Sequence, residues 1–428
     1  PPSPHPTMAA TLQRVYVGTR VSTVHVLNLN TETGSLTSQQ DADVAGLDCP
    51  SALAVRGQLL YAAVRVTAER RPPAPGSGVM AFTISRDGGL AHLNTSQSSS
   101  VSPCHLVCTD ESVIAAHFAG GSVATFPTAA DGALLAAAPA HQLGPPWWES
   151  TTLQPGAEES EEQGDPAYQL GPHAHCTAID RQGKRAVVTD YGRSELHIFD
   201  IVEGGALTPS AVHRSAEDSG PRHVVFSPSG EWLFAVNAND STVESLRYDA
   251  ATGGLTSVSV ASTLPARSEA APRTETENTA PVIEVSRCGR WVWVGNHGLD
   301  PVTGSVATFG ADPISGELTP RGHLSLSGVP VDALCLSECG RWLLVGSTPP
   351  PGSVRALKVN VDTGALSPVW GKPGESRDHR CHLGCILPRV PAVIVRTGFG
   401  PSSIVEGLLG VSSIVLPEQA EEETQSRL

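Results

Sequence analysis

A seven-bladed, all-β propeller is the fold class that this 428-residue sequence predicts. Three observations carry the prediction. A four-strand meander recurs along the chain, the turn before its fourth strand has seven copies, and the N-terminus begins partway through a blade.

The clearest meander spans residues 220–258. Pro221 opens the apolar run HVVFS, and a turn follows at Pro228-Ser229-Gly230. The run WLFAV leads to the polar turn Asn237–Ser241, then TVESLRYD, then a turn at Ala250–Gly254 and a last run from Leu255. Short β-favouring runs between Gly, Pro, Asn and Asp turns read as an antiparallel meander. Such a sheet is apolar on both faces and requires like neighbours.

Those neighbours are present. The turn before the fourth strand recurs as TETGSL (31–36), RDGGL (86–90), ADGAL (130–134), EGGAL (203–207), ATGGL (251–255), ISGEL (314–318) and DTGAL (362–366). First strands open at Pro50, Pro103, Pro172, Pro221, Pro281 and Pro330. Second strands recur as GQLLYAA, GKRAVV, GEWLFAV, GRWVWVG and GRWLLVG. The spacing of the opening prolines suits a blade of roughly 40–50 residues plus variable loops. RVYVGT (14–19) reads as a second strand, so its blade lacks a first strand at the N-terminus. RCHLGCIL (380–387) is expected to supply it, closing the ring and hiding its edges.

In chain order, residues 1–13 are expected to be disordered and 14–390 to form the propeller domain. Within it, 144–170 is an insertion whose acidic half reads as a mobile loop, with Trp147 and Trp148 at its start. Residues 391–428 form a partly disordered tail.

The 43 acidic and 28 basic side chains give a net charge of −15, which disfavours nucleic acid or an anionic membrane as a partner. No apolar run reaches membrane-spanning length. The first ten residues lack a charged-then-apolar signal layout. Nine cysteines without a secreted-disulfide pattern fit a reducing compartment. The expected location is cytoplasmic, and the ending Ser426-Arg427-Leu428 offers a peroxisomal alternative. A monomer is expected.

First strands of a propeller line its channel, so their starts converge on one mouth, where ligands bind. Those starts carry His105, His173, His175, Arg222, His223 and His382. Imidazole titrates near neutrality and takes a proton from water; guanidinium holds a carboxylate, phosphate or oxyanion. That combination fits ester or lactone hydrolysis as well as plain ligand binding. The Cys-x-x-x-Cys pairs sit on predicted strands too extended for chelation or a disulfide. No metal or other cofactor is expected.

RVYVGTR…TETGSL, PCHLVCTDESVIAAHFAGGSVATFPTAADGAL, GPHAHCTAID…VVTDYGRSELHIFD, GPRHVVFSPSGEWLFAVNANDSTV and GRWVWVGNHGLDPVTGSVATF together resemble the lactonase family of seven-bladed propellers. That family includes bacterial-type 6-phosphogluconolactonases and fungal carboxy-muconate cyclases. The resemblance implies a site built from the PHAH histidine, the GPRH arginine, a glutamate in the strand after GPRH, and an arginine in an S-N-R-G segment. The first two are kept, as His173 or His175 and as Arg222. The others are replaced: VNAN puts Ala238 at the acidic position, and Gly295-Asn296-His297-Gly298 stands where the family has SNRG. Pro281-Val282-Ile283 replaces A-E-I, and Pro330-Val331-Asp332-Ala333 replaces P-R-[DE]-F.

The function implied is lactone hydrolysis in carbohydrate metabolism, of the pentose phosphate pathway type, on a lactone or sugar acid. His175 is the expected general base, supported by His173, with Arg222 on the anion and His297 as the residual basic group. His105, His223, Asn296, His117 and His382 are expected substrate contacts. The alternatives are a non-catalytic propeller that binds a metabolite or protein, and a carboxy-muconate-type cycloisomerase.

Overall fold

The computed structural model describes residues 12–18, 23–43, 50–64, 77–145, 171–265, 278–297, 304–326, 329–347, 352–369 and 393–395. They form seven four-stranded antiparallel sheets. Blade I comprises Val393–Val395, Leu12–Gly18, Thr23–Asn30 and Leu36–Asp43, from the channel outward. Blades II to VII follow in chain order, their first strands being Pro50–Arg56, Pro103–Cys108, Ala174–Ile179, Pro221–Phe226, Val282–Val285 and Ala333–Leu336. Each first strand contacts those of the two adjacent blades, and Val393–Val395 touches both Ala333–Leu336 and Pro50–Arg56, so the ring is closed.

Closure uses a different segment from the one expected. Val393, Ile394 and Val395 pair with Gly18, Val17 and Tyr16. The innermost place of blade I is therefore taken beyond residue 390, and 380–387 lies outside the described residues. Blade III also departs from the repeat. Its fourth strand is only His141–Gln142, preceded by a single bridge between Thr128 and Leu134.

Because every blade is apolar on both faces, the core lies between blades. Among the described residues it divides into seven main layers, one per neighbouring pair. Tyr16, Leu53 and Phe82 are in the layer between blades I and II, and Phe234, Ile283 and Phe309 in that between V and VI. Val17, Leu29 and Leu344 close the circle between VII and I.

The recurrent glycine turns explain themselves at these seams. Gly316 has φ +74°, and a Cβ there would lie 2.1 Å from the Trp232 ring of the preceding blade; Gly34, with φ +76°, is pressed against Trp342 in the same way. Only glycine meets both demands. The tryptophans then donate across the seam: Trp232 Nε1 to Pro313 O (3.1 Å), Trp291 Nε1 to Val361 O (3.0 Å) and Trp342 Nε1 to Thr31 O (2.7 Å). Tyr16 and Tyr61 hydroxyls do the same to Gly88 and Gly132 carbonyls. Between IV and V, Arg185 replaces the aromatic and donates to Ala250 O at 2.7 Å. No helix among the described residues is long and apolar enough to cross a membrane.

Candidate functional site

The site is built where first strands begin. In blades III, IV and V the pairing with the second strand slips near that start. Pro103 faces His117 but His105 faces Ala116; Pro221 faces Asn237 but His223 faces Val236; Ala174 faces Asp190 but Thr177 faces Val188. A β-bulge re-aims one side chain out of the ladder, and bulges are over-represented beside active sites. The residues so released are Cys104, His175 and Arg222.

The strand starts gather three imidazoles from three blades. The His175 ring centroid lies 5.0 Å from that of His223, and His105 lies 6.4 Å from His223. All three are buried. His105 Nδ1 accepts the Thr177 amide at 3.2 Å, which leaves its proton on Nε2. Nδ1 of His175 and both ring nitrogens of His223 make no hydrogen bond. Burial holds the His105 ring down to about 3. Burial, and then the Arg222 charge, push His175 and His223 well below the ordinary imidazole value. At neutral pH the cluster is uncharged.

Arg222 sits beside it, half-buried. Its Nη1 donates to Pro281 O on blade VI at 2.6 Å. Burial disfavours its charge, and the Asp332 carboxylate and the Tyr191 phenol favour it. Asp332 in turn lies 3.1 Å from Nε2 of His297. The register explains this arrangement. Ala333 faces Gly346 as His223 faces Val236, so Asp332 holds on blade VII the place Arg222 holds on blade V. Counting from opening prolines, as the sequence invites, misaligns blade VII by one residue and hides that equivalence.

Other expected site residues lie away from the cluster. His173 stacks on Phe118 (centroids 4.6 Å, 16°). Its Nδ1 is 3.1 Å from Phe118 O, and its amide donates to Asp190 Oδ1. It packs behind His175, with Phe118 edge-on between them. His117 is fully buried, with Nε2 2.8 Å from Ser98 Oγ and Nδ1 3.2 Å from Ala115 O. Asn296 is saturated: its Oδ1 accepts from Thr263 Oγ1 and Asn278 Nδ2, and its Nδ2 donates to Thr263 O and Ser305 Oγ. His117 and Asn296 end second strands, at the place of Asp190 and Asn237, and each ties down the connection arriving from the preceding blade. Ala238, at the position where the resemblance called for an acid, is buried. His382 lies outside the described residues, as do Trp147 and Trp148.

Sequence reasoning missed Asp332, Phe118 and one further group. Asp190, Glu195 and His197 bring three donor atoms within 4.8 Å of one another on blade IV.

Comparison with known proteins places these features in context. A family model described as "Lactonase, 7-bladed beta-propeller" matches residues 14–374. A Bacillus subtilis protein named 6-phosphogluconolactonase is 28% identical over 295 residues, covering 68% of this chain and 76% of its own. A Pectobacterium carotovorum protein of the same name is 24% identical over 367 residues, 83% of this chain and 94% of its own. Among solved structures, the periplasmic gluconolactonase of Pseudomonas aeruginosa superposes with a TM-score of 0.70 at 19% identity, over 91% of this chain and 100% of that one.

Proposed function

The chain belongs to the lactonase family of seven-bladed β-propellers, and on that premise we propose that it hydrolyses a sugar lactone at the mouth lined by His105, His175, Arg222 and His223. The observation that carries the reading is the half-buried Arg222 guanidinium beside neutral, buried imidazoles with unpaired nitrogens. In the reaction, water adds to the lactone carbonyl as His175 takes its proton. Arg222 faces the oxyanion and then the carboxylate product. The ring C–O bond breaks, and the leaving oxygen recovers a proton from the imidazolium, giving an open hydroxy acid.

The surroundings of Arg222 bear on the substrate. Asp332 draws on its charge and also engages His297, so a second anionic group on the substrate meets a partly neutralised mouth. A lactone without a phosphate suits this electrostatic balance better than a phosphorylated one. The test is hydrolysis of glucono-δ-lactone and its 6-phosphate by the purified chain. A rate above the spontaneous one, larger for the unphosphorylated lactone, is expected; no acceleration of either overturns the reading.

Ala238 favours a second reading. Where the family resemblance calls for a carboxylate, a buried methyl group stands, as it does in a propeller that keeps the pocket for binding alone. Saturable binding of gluconate without turnover of either lactone is the signature of that case.

A further inference from the structure

A group outside the proposed mouth asks for a ligand of its own. The hairpin joining the second and third strands of blade IV turns through Tyr191–Ser194. Asp190 pairs directly with Glu195, and His197 lies two residues further on. Cross-strand partners share a face, and so do residues two apart on a strand. The three side chains therefore project together. His197 Nε2 stands 3.2 Å from Glu195 Oε2 and 3.8 Å from Asp190 Oδ2.

We propose that Asp190, Glu195 and His197 form a binding site for one divalent transition-metal cation. Ligands at bond lengths of 2.0–2.2 Å around a tetrahedral ion lie roughly 3.4 Å apart, and these two separations bracket that value. One imidazole and two carboxylates suit a borderline ion such as zinc.

A second observation is independent of the clustering. Asp190 is fully buried, and its Oδ2 accepts no hydrogen bond. Its Oδ1 accepts the amides of His173 and Arg193 at 2.8 and 3.2 Å, which fixes the carboxylate plane and aims Oδ2 at His197. A buried carboxylate oxygen with no donor is costly, and each such atom in a folded protein calls for an explanation. A cation supplies one.

Two arginines touch the group. Arg214 Nε donates to Glu195 Oε1 at 3.0 Å, on the oxygen turned away from His197, and orients the carboxylate. Arg193 Nε reaches Oε2 itself, at 3.2 Å, and its side chain is 39% exposed. Arg193 is thus the competitor for the ion and is free to swing outward into solvent. The cation's role is structural, because Asp190 also holds the backbone of His173, two residues before His175.

The test is calorimetric titration of the chelator-stripped full chain with zinc chloride. One saturable equivalent is expected. His197→Ala weakens it by about 100-fold or more, at the upper end of what outer-shell changes alone produce. Arg193→Ala tightens it by about tenfold, which a misfolded variant cannot imitate. Absence of a saturable equivalent, or any pattern in which Arg193→Ala fails to tighten or His197→Ala fails to weaken, overturns the proposal.

Discussion

Two regions of each blade repeat to different degrees around this one chain. At the outer seams, Trp232, Trp291 and Trp342 make the same bond to the same turn of the next blade, and Tyr16 and Tyr61 make its equivalent. At the channel openings, equivalent positions carry Cys104, His175, Arg222 and Asp332. The seams share one task, so their residues repeat, with Arg185 in place of the aromatic between IV and V. The mouth is formed once, by all blades together, so its residues differ. Repetition marks support and divergence marks chemistry.

The largest effect that separates the two regions is expected at the ring-closing seam. Trp342→Ala removes a buried indole and its bond to Thr31 O. It should cost about 3–5 kcal/mol in urea unfolding and leave turnover per folded molecule unchanged at low temperature. A stability near wild type would show that the seams are not what holds the ring.

A pH effect comes from the buried histidines in and beside the mouth. Burial holds His105 near 3 and His117 near 4, and holds His175 and His223 low. A depressed folded value means that the unfolded chain binds protons first. Stability is therefore full above about 6.5 and falls as pH drops from there toward 4, by about 1.4 kcal/mol per pH unit for each such group. Asp190, raised to about 6, acts in the opposite sense between about 4 and 6 and offsets one histidine. Melting temperature against pH measures the slope, and His117→Gln should flatten it by one group. A flat profile from pH 7 to 5 contradicts the burial of uncharged imidazoles.

The smallest effect is expected at the edge of the mouth. His297 pairs with Asp332, with side chains 29% and 18% exposed, and such a partly wet pair is worth under about 1 kcal/mol. His297→Ala frees Asp332 to draw on Arg222. It should raise KM less than about fivefold with kcat unchanged; a large fall in kcat would instead place His297 in the chemistry.

The seams were legible because they repeat: seven turn copies and five second-strand copies are enough to read the ring, its order and its blade count. The convergence of His105, His175 and His223 was legible too, since strand starts in a propeller share a height. What the letters hid was register. Opening prolines mark the first strands of blades II to VI within a residue or two, but in blade VII the strand begins three residues after Pro330, so Asp332 slid out of line with Arg222. Hydrogen bonding was equally hidden. Asn296 and His117 look like site residues in the sequence, yet their polar atoms are engaged by the chain that enters their blades from the preceding one. Asp190, Glu195 and His197 form a hairpin pattern, D-x-x-x-x-E-x-H, that becomes visible only once the turn length is known.

The most direct measurement of the central claim is the hydrolysis rate of the Arg222→Ala chain on the lactone that the wild type prefers, alongside its melting temperature. If the divergent openings carry the chemistry, the rate falls by about 100-fold or more, as for loss of one oxyanion donor, while the melting temperature stays within a few degrees. A rate equal to that of the wild type at unchanged stability would contradict the account.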